Sequence, residues 1–318
     1  MAEDRIIIEG GGYRAVLFPE AGGALVTLDK GDVQVFWPCD TVQEAKDAPT
    51  RHGFPCLFPP NRLDRGQYTF GEQIYRVPMI PNRTVSCHGF LHTRPWQAVD
   101  VTANSVTMRF ECTPETDFYP YYPHAFRFDV HYELDEQGLH QDTIITNLSS
   151  KPMPIGVGWH TAFKIPFAPG SCTENVRARV SVGERIPFNE RALPSGEVRP
   201  LSQDEQNWRA EGGQSITYKW MDEHFTNKPL TIDGKPFYGA ILEDAAAGLR
   251  VVYEVDPRYK HWMIFNARAA GDLLCTEPQN WRVNAPNLGL PYEEAGLDVL
   301  PSGQTLRFYS HLRVEEIC

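Results

Sequence analysis

One carboxylate in the sequence stands where an apolar run meets polar side chains. Glu277 follows the apolar residues 273–275 and precedes Pro278, Asn280 and Trp281. Because proline disfavours helix for the residue before it, we expect Glu277 to lie extended at the end of a buried strand. A carboxylate fixed in this way suits proton transfer on a polar ligand, although a solvated strand end has the same pattern.

Two histidines supply the other half of a possible acid–base set. His88 precedes Gly89, and His160 follows two glycines, Gly156 and Gly158, in a strand-like segment. Glycine inside a strand often marks close approach by another backbone or a ligand. Imidazole titrates near neutral pH, so it can donate or accept a proton beside a carboxylate. A histidine alone is more often a structural hydrogen-bonding residue, but the set of three indicates general acid–base chemistry.

Metal and cofactor chemistry have weaker support in the sequence. His88 and His92 have the i, i+4 spacing that suits zinc on a helix, but Gly89 and Pro95 argue against a helix there. Glycines 10–12 run into a strand-like segment rather than a helix, which excludes a phosphate-binding or dinucleotide loop. We therefore predict no metal site and no cofactor.

The elements that must position these residues are predicted to be strands. Apolar and polar residues alternate through residues 106–112 and 126–134, and the apolar residues 249, 251, 253 and 255 repeat the pattern, as in antiparallel sheets with one buried face. The 25 glycines and 26 prolines disfavour long helices, and the best helical segment is short, at residues 42–48. We predict an all-β fold, a large antiparallel β-sandwich with few short helices, as a single domain over residues 1–318.

Composition limits the partners and the location of the protein. A formal net charge of −11 argues against a nucleic-acid surface. The charged N-terminal residues and the absence of an 18-residue apolar run predict neither export nor a membrane span. Seven scattered cysteines without paired spacing are typical of reduced thiols, so we expect a cytoplasmic protein. A monomer and a homodimer remain equally compatible with the sequence.

Five short motifs, taken in order, resemble the aldose 1-epimerase (galactose mutarotase-like) family from about residue 50 onward. They are Phe58-Pro-Pro-Asn-Arg-Leu-Asp-Arg-Gly66, His88-Gly89-Phe90 with Trp96, Gly156-Val-Gly-Trp-His160 with Phe163, Cys275-Thr-Glu-Pro-Gln279, and Leu300-Pro-Ser-Gly303. The resemblance implies the large β-supersandwich of that family. It also implies a small-molecule substrate and a cofactor-free reaction, the interconversion of the α and β anomers of a free sugar.

The resemblance also implies a role for each site residue. Glu277 would be the base that takes the anomeric proton and His160 the acid at the ring oxygen, while His88 would polarise the same region. The sugar hydroxyls would be bound by Arg62, Asn61 and Asp222. A solvated loop carboxylate is an equally good account of Asp222. Because the hydroxyl proton and the ring oxygen lie on either side of C1, we expect the fold to hold acid and base apart.

This chain departs from the family pattern two residues after the second histidine. Ala162 stands where the family usually has tyrosine, which could widen the site or change the preferred sugar. Trp159 could compensate by stacking on a pyranose face, since an indole offers a large amphipathic surface. A tryptophan in the core is an equally good interpretation of Trp159.

Two other functions remain open at this point. Residues 51–100 contain six arginines and no lysine, against three carboxylates, and arginine suits bidentate contact with phosphate. This pattern fits a hexose-6-phosphate 1-epimerase, although the segment Asn61-Arg62 looks more like the free-aldose branch. A non-catalytic carbohydrate-binding protein on the same fold is the second alternative.

Overall fold

A computed structural model describes residues 5–317, and in that part the chain is almost entirely antiparallel sheet. The first strands are β1 Ile6–Gly10, β2 Tyr13–Phe18, β3 Ala24–Lys30, β4 Val33–Gln34, β5 Cys56–Leu57, β6 Arg62–Asp64, β7 Gln67–Phe70, β8 Gln73–Arg76, β9 Val85–Cys87, β10 Gln97–Val99, β11 Ser105–Cys112, β12 Phe126–Asp135, β13 Gly138–Asn147 and β14 Met153–Ile155. The remaining strands are β15 Gly158–Trp159, β16 Thr161–Lys164, β17 Val176–Val180, β18 Val182–Ile186, β19 Gln214–Ser215, β20 Asp222–Asn227, β21 Leu230–Ile232, β22 Lys235–Phe237, β23 Gly239–Asp244, β24 Leu249–Val255, β25 His261–Phe265, β26 Leu273–Gln279, β27 Asp298–Leu300 and β28 Thr305–Glu316.

The helices are few and short, as the sequence predicts. The α-helices in the described part are α1 Val42–Asp47 and α2 Tyr292–Ala295, and the 3₁₀ turns are Leu91–Thr93, Thr173–Asn175, Glu205–Trp208, Ala267–Ala269 and Ala285–Asn287. Helix α1 confirms the segment predicted at residues 42–48. It begins after Thr41, whose hydroxyl accepts the backbone N–H of Glu44 at 3.1 Å and so satisfies a free donor of the first turn.

Two large sheets make up most of the fold. The nine-stranded sheet, called the large sheet, has the order β10-β11-β12-β13-β28-β24-β23-β17-β19. The seven-stranded sheet, called the site sheet, has the order β18-β20-β25-β26-β15-β5, and β16 also pairs with β26. The alternating runs of the sequence are strands β11, β12 and β24 of the large sheet, which confirms the predicted antiparallel β fold.

Aromatic side chains fill the space between the two sheets. Phe163 of the site sheet lies 6.0 Å from Tyr253 of the large sheet between ring centroids. Trp159 donates from Nε1 to the hydroxyl of Tyr259 at 2.9 Å, and Tyr259 stacks on Phe308 of the large sheet at 4.9 Å. Burying one large apolar side chain stabilises a fold by about 1.5–3 kcal/mol. This layer therefore holds the sheets face to face and leaves the opposite face of the site sheet free for a pocket.

Smaller sheets and hairpins surround this sandwich. Strands β1 to β4 form a four-stranded sheet, and the pairs β6–β9, β7–β8, β14–β27 and β21–β22 form short ribbons. The main hydrophobic core includes residues from Ile8 to Val314, and the single domain over residues 1–318 stays a prediction. Among residues 5–317, none of the helices has the length and apolar character needed to cross a bilayer.

Candidate active site

Glu277 lies within a central strand of the site sheet rather than at a strand end. Strand β26 runs through Pro278 to Gln279, with β25 on one side and β15 and β16 on the other. The sequence prediction that the strand stops at the proline is therefore wrong. Pro278 lacks the N–H that another residue would donate to a neighbouring strand. The neighbouring segment, residues 158–164, pairs with β26 through β15 and β16, and this pairing is interrupted at His160.

The strand register places His160 directly opposite Glu277. Gly158 pairs with Gln279, and Thr161 pairs with Thr276. His160 precedes Thr161 and Glu277 follows Thr276, so the antiparallel register places these two residues opposite each other. Cross-strand neighbours project on the same side of a sheet. The Nε2 atom of His160 is accordingly 3.1 Å from Oε1 of Glu277, with both side chains almost fully buried. The expectation that acid and base are held apart is wrong, because the fold brings them into contact.

Burial shifts both members of this pair toward their neutral forms. It raises the pKa of Glu277 to about 8; Asp222 adds to the rise, and the guanidinium of Arg62 opposes it. Burial lowers the pKa of His160 well below its usual value. A buried carboxyl and a buried imidazole that both resist charge hold one proton between them near neutral pH. The arrangement can therefore donate and accept a proton at adjacent atoms.

His88 reaches the same pair from a crossing of two loops. Its backbone has a φ of +63°, and its N–H donates to the carbonyl oxygen of Asn61, which has a φ of +54°. The next residue, Gly89, also has positive φ, and a Cβ there would lie 2.1 Å from the carbonyl oxygen of Phe58. The His88 ring meets the His160 ring edge to face, with centroids 5.2 Å apart. Burial, reinforced by His160, lowers the pKa of His88.

An ion pair forms another side of the site. Arg62 at the start of β6 donates from Nη2 to Oδ2 of Asp222 at 2.6 Å, and its guanidinium packs over the ring of Phe188. Asn61 is buried beside it and accepts the backbone N–H of Arg62 through its side-chain oxygen. Because both charged groups shift the pKa of Glu277, they lie within electrostatic range of the acid–base pair.

A pocket of about 340 Å³ collects these groups on the outer face of the site sheet. It is lined by Thr50, Arg51, Asn61, Arg62, His88, His160, Asp222, Met263, Phe265, Ala267, Leu273 and Glu277. A volume of this size is at the lower end of small-molecule sites, as expected for one monosaccharide. The structure thus brings together six of the seven residues predicted from the sequence.

Trp159 is the exception, and its predicted stacking role is wrong. Its side chain is 1% exposed and lies in the core, where Nε1 donates to the hydroxyl of Tyr259. Successive side chains of a strand point to opposite faces, so the register that turns His160 toward the pocket turns Trp159 away from it. Ala162 lies on the same face as His160 and is covered by Trp37 and Phe265.

The sequence reasoning missed the apolar floor and the rim of the pocket. Met263 pairs with Glu277 in the register of β25 and β26, so alternation along β25 could have indicated it and Phe265 once the sheet order was known. At the rim, Arg51 lies in an ion pair with Asp272 at 3.0 Å and packs over the ring of Trp37. No motif marks Arg51, and only the fold brings it to the pocket.

The fold and the pocket together define a large antiparallel β-sandwich protein with a buried carboxylate–imidazole pair in a monosaccharide-sized site. The family described as Aldose 1-epimerase matches residues 4–313, and the chain belongs to this family. The fold and the family expected from the sequence motifs are thereby confirmed.

Known relatives agree with this assignment. A galactose mutarotase-like protein from Clostridium acetobutylicum is 32% identical and superposes with a TM-score of 0.93 over 98% of this chain and 95% of its own. Plasmid-encoded protein LacX of Lactococcus lactis subsp. lactis is 26% identical over 260 residues, 80% of this chain and 81% of that protein. Galactose 1-epimerase from Lactobacillus acidophilus shares the fold, with a TM-score of 0.70 at 14% identity over 99% of this chain and 95% of its own.

Proposed function

We propose that the protein is a cofactor-independent aldose 1-epimerase that interconverts the α and β anomers of a free aldose. The observation that carries this proposal is the His160–Glu277 pair, whose facing atoms are 3.1 Å apart within the pocket. The anomeric hydroxyl oxygen and the ring oxygen are bonded to the same carbon. A base and an acid that lie side by side can therefore contact both oxygens of one sugar at once.

The proposed reaction moves two protons and breaks one bond. In the tautomer that has the shared proton on His160, Glu277 takes the proton of the anomeric hydroxyl, and the electron pair left behind forms the C1 carbonyl while the C1–O5 bond breaks. His160 gives its proton to the departing ring oxygen. Rotation about C1–C2 presents the other face of the carbonyl, and both transfers then run backwards to close the ring. Each residue returns to its starting protonation state, so neither a cofactor nor a separate resetting step is required.

The surrounding groups have binding roles in this proposal. Arg62 and Asp222 present a donor and an acceptor to the sugar hydroxyls, and Asn61 fixes the backbone of Arg62. His88, kept neutral by burial, hydrogen-bonds the sugar next to His160. The apolar floor under the pair suits the less polar face of a pyranose, since such faces pack on apolar side chains.

The charges around the pocket favour an unphosphorylated sugar. Arg51 and Arg62 are the arginines among the described residues that line the pocket, and the lining contains no lysine. Both guanidiniums already have carboxylate partners, at 3.0 Å in Asp272 and 2.6 Å in Asp222. Each carboxylate offsets the charge of the guanidinium that it pairs with, which weakens the attraction of the pocket for a phosphate dianion. This supports a free aldose over the phosphosugar alternative.

A direct measurement of anomer exchange tests the proposal. Two-dimensional NMR exchange spectra would be recorded for D-galactose, D-glucose, two pentoses and D-glucose 6-phosphate, each with and without the protein. We expect accelerated exchange for at least one free aldose and a weaker effect on the phosphorylated hexose. Sugar binding by calorimetry without any acceleration would instead support a carbohydrate-binding protein. Preferential acceleration of the phosphorylated hexose would support the phosphosugar epimerase.

A further inference from the structure

We propose that His88, His160 and Glu277 form a binding site for a divalent transition-metal ion of the Zn²⁺ type, which shuts the pocket to sugar. Each residue offers one ligand atom, and these atoms all lie within 4.8 Å of one another. The residues come from the end of β9, from between β15 and β16, and from β26. The spacing of these residues in the sequence does not predict a metal site, because Glu277 is remote from both histidines.

The donor set has the chemistry that zinc prefers. Two imidazole nitrogens and one carboxylate oxygen, with a fourth position open, are a ligand combination found at zinc centres in enzymes. Neutral imidazole is the form that ligates a metal through a ring nitrogen. The pair of histidines first considered from the sequence, His88 and His92, is not the one that the fold assembles.

The buried atoms of the cluster also have free coordination capacity. Oε2 of Glu277 and the Nδ1 atoms of His88 and His160 are buried and have no hydrogen-bond partner within the described residues. The nearby charge of Arg62 would oppose a cation, but Asp222 neutralises it at 2.6 Å. The carboxylate of Glu277 then leaves the site with net negative charge when it is ionised, which favours a dication.

Only a small movement is needed to close ligands around an ion. Zinc lies about 2.0–2.1 Å from nitrogen and oxygen ligands, so any two of them are less than about 4.2 Å apart. His160 and Glu277 already satisfy this limit at 3.1 Å. The ligand atom of His88 lies within 4.8 Å of the other two, so His88 needs to approach the pair by at most a fraction of an ångström to meet the same limit. Its ring stands edge to face with His160 and can tilt toward the pair.

Occupation of this site would have a defined consequence. The ion would take the lone pairs that the proposed reaction uses at Glu277 and His160, so metal and sugar would exclude each other. Metal binding itself does not depend on the proposed function; the loss of anomer exchange does rest on it. A chelator would restore the exchange rate, because no covalent change is involved.

Calorimetry with Zn²⁺ alone on the full chain tests the inference. We expect one ion per chain at the cluster, with affinity at least tenfold weaker in His88→Ala and in Glu277→Gln. The matched control is His140→Gln. His140 and His311 stack at 4.4 Å on the large sheet and are the obvious rival surface site. Unchanged affinity in both pocket variants, lost affinity in the control, or no binding to the wild type would each overturn the inference.

A second measurement covers the case in which a pocket variant fails to fold. Crystals of the wild-type protein soaked in Zn²⁺ should show an anomalous peak between His88, His160 and Glu277, and its absence would contradict the site. Anomer exchange measured with a chelator present tests the proposed function separately. A protein that is active with chelator yet binds no zinc would refute the metal site and leave the epimerase assignment standing.

Discussion

His160 lies directly opposite Glu277 across two strands of the site sheet, and the two side chains touch at 3.1 Å. A carboxyl–imidazole pair and the corresponding carboxylate–imidazolium pair contain the same number of protons. The ratio of these two forms is therefore independent of pH for as long as the pair holds its one proton. Glu277 lies within β26, and His160 lies between β15 and β16, which both pair with β26, so the sheet sets the separation of the two groups.

Glu277→Gln and His160→Asn should each lower kcat for anomer exchange by about 10²–10⁴-fold, the usual contribution of one acid or base. Burial disfavours the charged form of Glu277, so the neutral amide should fold at least as stably as the wild type. NMR exchange and thermal unfolding measured on the same samples check both statements. Wild-type exchange rates in the two variants would remove the assigned roles.

The pH profile should be flat through neutrality and fall above about pH 8. The raised pKa of Glu277 means that the pair keeps its shared proton up to that pH and lacks an acid beyond it. On the acid side, the lowered pKa of His160 delays a second protonation to well below the usual value for histidine. Exchange rates measured from pH 4 to pH 10 should therefore show no decline near 6.5. A decline there would mean that His160 titrates as an ordinary, solvated imidazole.

Asp222→Asn should weaken sugar binding more than it slows the chemistry. The change removes the charged partner of Arg62, and we expect KM to rise about tenfold, equivalent to about 1.4 kcal/mol. It should also lower the pKa of Glu277, because Asp222 helps to raise it, and so move the alkaline limb of the profile to lower pH.

Asp117→Asn is a matched control for that variant. It breaks the ion pair of Arg94 with Asp117, which lies outside the pocket and is largely exposed on the aspartate side. Exposed pairs contribute little to stability, so KM and the pH profile should stay unchanged. Equal effects of the two substitutions would indicate a general charge effect rather than sugar binding at Asp222.

Trp159→Phe should destabilise the fold by about 1–3 kcal/mol and leave anomer exchange near the wild-type rate. The substitution leaves the buried hydroxyl of Tyr259 without the Nε1 donor and removes part of a core side chain. Chemical denaturation and exchange kinetics measure the two effects independently. A large rise in KM with unchanged stability would restore the stacking role.

Local patterns made much of this fold predictable from the sequence. Alternation identified β11, β12 and β24, and α1 lies in the short helical segment predicted at residues 42–48. The same rule, applied to residues 158–160, would also have turned Trp159 away from His160. The short motifs identified the candidate catalytic residues, because a carboxylate and two imidazoles indicate acid–base chemistry even when the order of the strands is unknown.

What could not be predicted depends on how distant strands pair. The contact of Arg62 with Asp222 joins residues 160 positions apart, and the contact of Arg51 with Asp272 joins residues 221 apart. The continuation of β26 through Pro278 likewise depends on its neighbours, because two flanking segments hold the strand in place. Such pairings follow from strand order, which local periodicity does not encode.

The position of β28 has a consequence for how the chain is made. Residues 305–316 form a strand between β13 and β24 in the middle of the large sheet, although they come later in the sequence than every other described strand of that sheet. Until they arrive, β13 and β24 both present unpaired edges, which can join strands of other chains. Synthesis should therefore pass through an aggregation-prone stage, in which the two halves of the large sheet have been made and their central strand has not.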